Sequence, residues 1–131
     1  MSIYEEEMPD RGKPMKSDQT CLFCKIKTGQ IPSIKVFEND NILAFNDINP
    51  LANTHILFIH KNHTKDINDL MKNNSTDLTD LFMGISQYTS QENNNLESFR
   101  LVTNIGKEAG QSVFHTHFHL LSGEQLGKFG R

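Results

Sequence analysis

All six histidines of this 131-residue chain fall in two short segments, His55, His60 and His63 in one and His115, His117 and His119 in the other. Side chains alternate faces along a strand, so His115, His117 and His119 would share one face, with neighbours about 6.5–7 Å apart. Phe114, Thr116, Phe118 and Leu120 would then point the other way, toward a core, with the β-branched Thr116 suited to a strand. As core filler, three imidazoles in a row would each need buried hydrogen-bond partners. The row therefore points to a site. Two chemistries fit it. His-x-His on a strand can chelate a metal. Alternatively, one histidine can attack phosphorus while the others position oxygens or donate protons. The loop Lys107-Glu108-Ala109-Gly110-Gln111-Ser112 runs straight into the row. Gly110 permits close backbone approach, loop amides can cradle an anion, and Gln111 and Ser112 offer neutral donors to phosphoryl oxygens. A metal centre alone would not require such a loop.

Cys21 and Cys24 are the only cysteines. Their spacing suits zinc, with two thiolates on one helical turn and two histidines from elsewhere completing four ligands. Two other readings stand beside this one. A thioredoxin-like redox pair should follow a strand in a βαβ unit, which the pattern lacks. Two buried inert thiols would carry no chemistry. Lys25 and Lys27 would bias the thiols toward thiolate. His60 is either a spare ligand or a surface residue, and His55 either a satisfied core histidine or a support for the site.

These residues must be positioned by short elements. Residues 1–20 carry Pro9, Gly12, Pro14 and many charges without an apolar period, and read as a flexible arm ahead of one domain over 21–131. Cys21–Thr28 predicts a short helix, stopped by Gly29 and Pro32. Strands are expected at 36–38 and 42–45 around Asn39-Asp40-Asn41, then at 55–60 and 99–104, with the triad strand over 112–121. Leu78, Leu81, Phe82, Ile85 and Tyr88 recur at helical spacing between Ser75 and Gln91, which predicts one long helix with core or dimer contacts. The order implies an α+β fold with a mostly antiparallel sheet. A net charge of −3 gives no electrostatic footprint for nucleic acid. No apolar run reaches membrane-span length, and the acidic start MSIYEEEMPD lacks the order of a signal peptide, so a cytoplasmic protein is expected.

His115-Thr116-His117-Phe118-His119-Leu120-Leu121 resembles the signature of the histidine-triad family, three histidines alternating with apolar residues. The Gly-Gln-Ser run before it is similar too. So are Cys21-Leu22-Phe23-Cys24-Lys25-Ile26 with Ile31-Pro32, Ala44-Phe45-Asn46-Asp47-Ile48-Asn49-Pro50, and Thr54-His55-Ile56-Leu57. Together these motifs cover roughly residues 21–123 and look closest to the Hint-like, zinc-containing bacterial-type branch. The resemblance implies a homodimer of α+β protomers that binds purine nucleotides and cleaves nucleoside phosphoramidates or related nucleotidyl bonds. It implies that His117 is the nucleophile, forming a nucleotidyl-histidine that water resolves. His119 would hold phosphate oxygens and Ser112 would donate toward the leaving group. Gly110 and Gln111 would line the phosphate site, and Asn104 would contact the sugar-phosphate end. Asp47 would bond the ribose hydroxyls, and Phe23, Ile26, Phe45 and Ile48 would form a base slot. A structural zinc would sit on Cys21, Cys24, His63 and His115. The sequence departs from the family pattern at His60, where proline is usual, and in a tail without tryptophan. The competing reading is a zinc-stabilised nucleotide-binding or interaction module with vestigial catalysis.

Overall fold

The computed structural model describes residues 15–92 and 96–128. Helix α1 (Leu22–Lys27) leads into strands β1 (Lys35–Glu38), β2 (Ile42–Asn46) and β3 (Thr54–His60). Helices α2 (Ile67–Asn73) and α3 (Thr76–Thr89) follow, then β4 (Phe99–Val102), a 3₁₀ turn at Lys107–Ala109 and β5 (His117–Ser122). The five strands form one sheet in the order β1-β2-β3-β5-β4, antiparallel at every step. This is the α+β layout expected from the order of elements. The β1–β2 turn is closed by Asn39, whose Oδ1 accepts from the amides of Asn41 and Ile42 at 2.9 and 2.7 Å.

The sheet is covered on both faces, and strand parity decides which residue goes where. Ile42, Ala44, Ile56, Phe58, Phe118 and Leu120 face α2 and α3, where they meet Leu70, Leu81, Ile85 and Tyr88. Leu43, Phe45, Leu57 and Ile59 face α1 and pack with Cys21, Phe23, Cys24 and Ile26. Strand β3 is buried along nearly its whole length, and its two histidines, an odd number of residues apart, fall on opposite faces, His55 with Leu57 and His60 with Phe58. Helix α3 lies close on β2. A Cβ at Gly84 would come within 3.1 Å of the Ile42 side chain, so this glycine sets the helix-to-sheet distance.

Three expectations need correcting. The triad strand begins at His117, not at residue 112. Ahead of it, Thr116 donates its amide to the Thr64 carbonyl at 2.8 Å and shares a hydroxyl bond of 2.7 Å with Thr64. These bonds hold the backbone out of the ladder, so His115 is not in one extended row with His117 and His119. Phe114, expected in the core, is 44% exposed, because strand alternation does not extend back to it. Helix α2 lies where the sequence pattern predicts no element. It has seven residues, capped by Asp66 accepting from the Asp69 amide at 2.9 Å, and only Leu70 is buried, too little for a readable period. On α3, Leu81, Ile85 and Tyr88 enter the core while Phe82 is 43% exposed. Most of the arm lies outside the described residues. Its end, 15–20, has neither helix nor strand but is hydrogen-bonded to the body, through Asn62 and His63 among others.

Candidate active site

His117 and His119 leave β5 on the face that α1 covers, opposite Ile59 and Leu57 of β3. The Nδ1 of His117 lies 2.7 Å from the carbonyl of His115. A carbonyl only accepts, so Nδ1 carries the proton and Nε2 holds the free lone pair. Thr103 ties this point down by donating its hydroxyl to the His117 carbonyl at 2.8 Å. The Phe23 ring stands edge-on to His117, with centroids 5.0 Å apart, and limits how far the imidazole can tilt.

The next histidine is oriented by a relay. The Leu51 amide donates to His55 Nδ1 at 3.0 Å, so His55 carries its proton on Nε2. That proton points at His119 Nδ1, 2.9 Å away, which leaves His119 with its own proton on Nε2. Asp47 Oδ2 lies 3.4 Å from His55 Nε2 and completes the group. Burial pushes His117 and His55 below the ordinary histidine range, opposed in both by the Asp47 carboxylate. Burial, then the charges of His117 and His55, push His119 down to about 4. Near neutral pH the group is therefore two uncharged imidazoles, His117 with a free lone pair on Nε2 and His119 with a proton on Nε2.

The loop ahead of β5 is built by Gln111. Its Oε1 accepts from the Gly106 amide at 2.9 Å, and its Nε2 donates to the carbonyls of Lys65 and Val113 at 2.8 and 3.2 Å. The side chain is thus engaged inside the loop and shapes it, without presenting a carboxamide outward. Gly110 ends the 3₁₀ turn at φ 95°, a conformation that favours glycine, and Asn104 Nδ2 lies 3.8 Å from where its Cβ would be. Ser112 is exposed at the loop's end. Asp47 is half-buried and closes its own turn by accepting from the Asn49 amide at 2.8 Å. Of the residues expected in a base slot, Phe23, Ile26 and Phe45 are buried, with Phe23 and Phe45 edge-to-face at 5.5 Å. Ile48 is 90% exposed beside Asp47.

Cys21, Cys24, His63 and His115 converge as a second group, their ligand atoms all within 4.8 Å of one another. The His115 Nδ1 is 3.3 Å from Cys21 Sγ, 3.6 Å from Cys24 Sγ and 3.1 Å from His63 Nδ1, and Cys24 Sγ is 3.5 Å from His63 Nδ1. A tetrahedral zinc with bonds of about 2.3 Å to sulfur and 2.0 Å to nitrogen separates its donors by roughly 3.3–3.7 Å, so the set fits that ion. Tautomers agree. His115 donates Nε2–H to the His60 carbonyl at 2.9 Å, which turns the Nδ1 lone pair toward the cysteines. Burial pushes the Cys21 thiol up to about 11 and His115 down to about 3, and a bound dication reverses that balance for the thiol.

His60 is neither a surface residue nor a fifth ligand. It is 2% exposed, its Nδ1 accepts from the Asn62 amide at 2.9 Å, and its Nε2–H donates to Asp80 at 2.9 Å. Asp77 Oδ1 stands 3.4 Å away and accepts from Asn62 through its other oxygen at 3.0 Å. With Nδ1 already accepting, Nε2 must keep its proton, so this His-Asp-Asp group is a hydrogen-bonded tie between β3 and α3, not a metal site. The sequence carries a clue to this separation. Strand parity puts His55 on the triad face and His60 on the helix face.

A family described as "Scavenger mRNA decapping enzyme C-term binding" matches residues 20–130. The purine nucleoside phosphoramidase of Escherichia coli K12 is 36% identical over 106 residues, covering 81% of this chain and 89% of that protein. A HIT family hydrolase from Legionella pneumophila superposes with a TM-score of 0.77 at 42% identity, over 85% of this chain and 99% of the other. A histidine triad protein from Clostridium difficile gives 0.81 at 35% identity, over 87% and 99%. Sheet order, histidine arrangement and these likenesses agree, and the chain belongs to the histidine-triad family of hydrolases.

Proposed function

We propose that this chain cleaves purine nucleoside phosphoramidates, or related nucleotidyl bonds such as those of dinucleoside polyphosphates, through a nucleotidyl intermediate on His117. The observation that carries the reading is the 2.7 Å bond from His117 Nδ1–H to the His115 carbonyl. It aims a lone pair outward from Nε2 and prevents the ring from presenting the wrong nitrogen. In the first step Nε2 attacks phosphorus, the bond to the leaving group breaks, and the departing amine or phosphate takes up a proton. In the second, water attacks the same phosphorus, the P–N bond to His117 breaks, and the nucleoside monophosphate leaves. Splitting the displacement in two leaves the protein mainly the tasks of positioning and charge stabilisation.

His119 Nε2–H would donate to a non-bridging oxygen, joined by backbone amides of the Gly110 loop whose shape Gln111 maintains. Ser112 would donate toward the leaving group, and Asn104, lying against Gly110, would reach the sugar-phosphate. Asp47 would take the ribose hydroxyls, with Ile48 closing one side of a base slot floored by Phe23, Ile26 and Phe45. Zinc on Cys21, Cys24, His63 and His115 would be structural, as in the Hint-like branch. It supplies folding energy and fixes the His115 peptide. A homodimer is proposed through β4, which lies at the sheet edge, and through the exposed Phe82 and Met83 of α3. The protein would act in the cytoplasm, where a reducing poise keeps the thiols available to zinc.

The test is hydrolysis of an adenosine phosphoramidate by the purified chain beside His117→Ala. Release of AMP that vanishes in the variant, with AMP binding retained, is expected. Equal turnover in both would overturn the assignment of His117, and silence in both with AMP still bound would make the chain a nucleotide-binding module.

A further inference from the structure

The four donors of the cysteine–histidine cluster are unequally protected. Cys21, Cys24 and His115 are buried, and His63 is only half-buried. Residues 16–18 run along that weaker side. The His63 amide donates to the Lys16 carbonyl at 2.9 Å, and the Lys16 amide donates to Asn62 Oδ1 at 2.7 Å. The Asp18 amide reaches Cys24 Sγ at 3.4 Å, and the Asp18 carbonyl accepts from the Cys21 amide at 3.0 Å. From the last turn of α1, the Lys27 ammonium donates to the Ser17 hydroxyl, to the Lys16 carbonyl at 3.4 Å and to the Lys61 carbonyl at 2.7 Å. One side chain thus holds both the segment and the loop that carries His63.

We infer that residues 16–18 are part of the metal site, a strap that orients Cys24 and His63 and blocks loss of the ion. The inference rests on the zinc reading above. An ion leaves only after a ligand swings away, and His63 is the donor least restrained by packing. The strap restrains it through its backbone. The Asp18 N–H directed at Cys24 Sγ also places a positive dipole end against a thiolate, an outer-layer bond of the kind that holds a ligand in its charged form.

The full chain is loaded with zinc, its zinc content is measured, and release is followed with excess 4-(2-pyridylazo)resorcinol. Lys16→Pro deletes the amide that holds Asn62, together with the Lys16 ammonium, and Lys27→Met deletes the Lys27 ammonium. Lys25→Met, on the same helix, serves as the control. Each strap variant is expected to bind one zinc per chain and release it about tenfold faster or more, while the control matches the parent. Hydrogen exchange of the His63 amide should accelerate in the same two variants. Release and exchange unchanged from the parent would overturn the strap while leaving the zinc reading intact. A parent chain that binds no zinc would overturn the zinc reading and the strap with it.

Discussion

His55 Nε2 sits 2.9 Å from His119 Nδ1, so a residue on the central strand decides which nitrogen of the triad's last histidine carries its proton. His55→Ala leaves His119 free to flip or change tautomer. Turnover should fall by about tenfold to a hundredfold, less than loss of a direct transition-state donor, with AMP affinity changed much less. Steady-state kinetics beside calorimetric binding checks this, and a change confined to KM would contradict it.

Gly110→Ala tests the loop. A Cβ there meets nothing nearer than Asn104 Nδ2 at 3.8 Å, so the penalty is conformational, from φ 95°. Stability should drop by about 1–3 kcal/mol and turnover should fall, because the amides shift. Urea unfolding unaltered by the substitution would show that the loop relaxes without strain.

Acid should weaken the fold through the buried histidines. His119 titrates at about 4 when folded, against 6.5 for an ordinary histidine. Between those values the unfolded chain binds the extra proton, so stability is complete above about 6.5 and is lost as pH falls toward 4. Denaturation midpoints measured from pH 7.5 to 4.5 should decline, and should decline less steeply in His119→Gln. An identical slope in the variant would remove His119 from the account.

His60→Leu should cost about 1–3 kcal/mol and lower Tm, since buried Asp77 and half-buried Asp80 lose the N–H that lies between them. Activity at low temperature should survive, because the side chain faces α3, away from the triad. A thermal melt with a rate measurement at a single temperature decides both.

Phe82→Glu probes assembly. The ring is exposed yet lies tilted against Phe118 with centroids 5.3 Å apart, and the charge would disrupt any apolar interface there. Light scattering should report a dimer for the parent and a monomer for the variant. A monomeric parent would refute the proposed contact.

The fold class was legible because apolar alternation and one strong helical period are physical necessities of a sheet with a covered face. The family resemblance implies the gathering of Cys21, Cys24, His63 and His115, and the four donors converge. Illegible were features decided by single hydrogen bonds. Nothing in the spacing of His115 and His117 shows that Thr64 holds Thr116 out of the ladder, or that His115 is thereby turned to the cysteines. Nor does the type of residue 111 reveal that its carboxamide is engaged by Gly106, Lys65 and Val113. Neither reading of His60, spare ligand or surface residue, matches its role, because its partners, Asp77 and Asp80, lie one helix away in the sequence.

The peptide of His115 is shared property. Its ring belongs to the cysteine group, and its carbonyl sets the proton of His117. Damage to either cysteine can therefore silence catalysis at a distance without touching a nucleotide, and an inactive cysteine variant is no evidence for metal chemistry. The same linkage constrains divergence. A descendant of this chain that discarded both cysteines would depend on the Thr64–Thr116 bonds and on the bond from the His115 ring to the His60 carbonyl to keep that peptide in place.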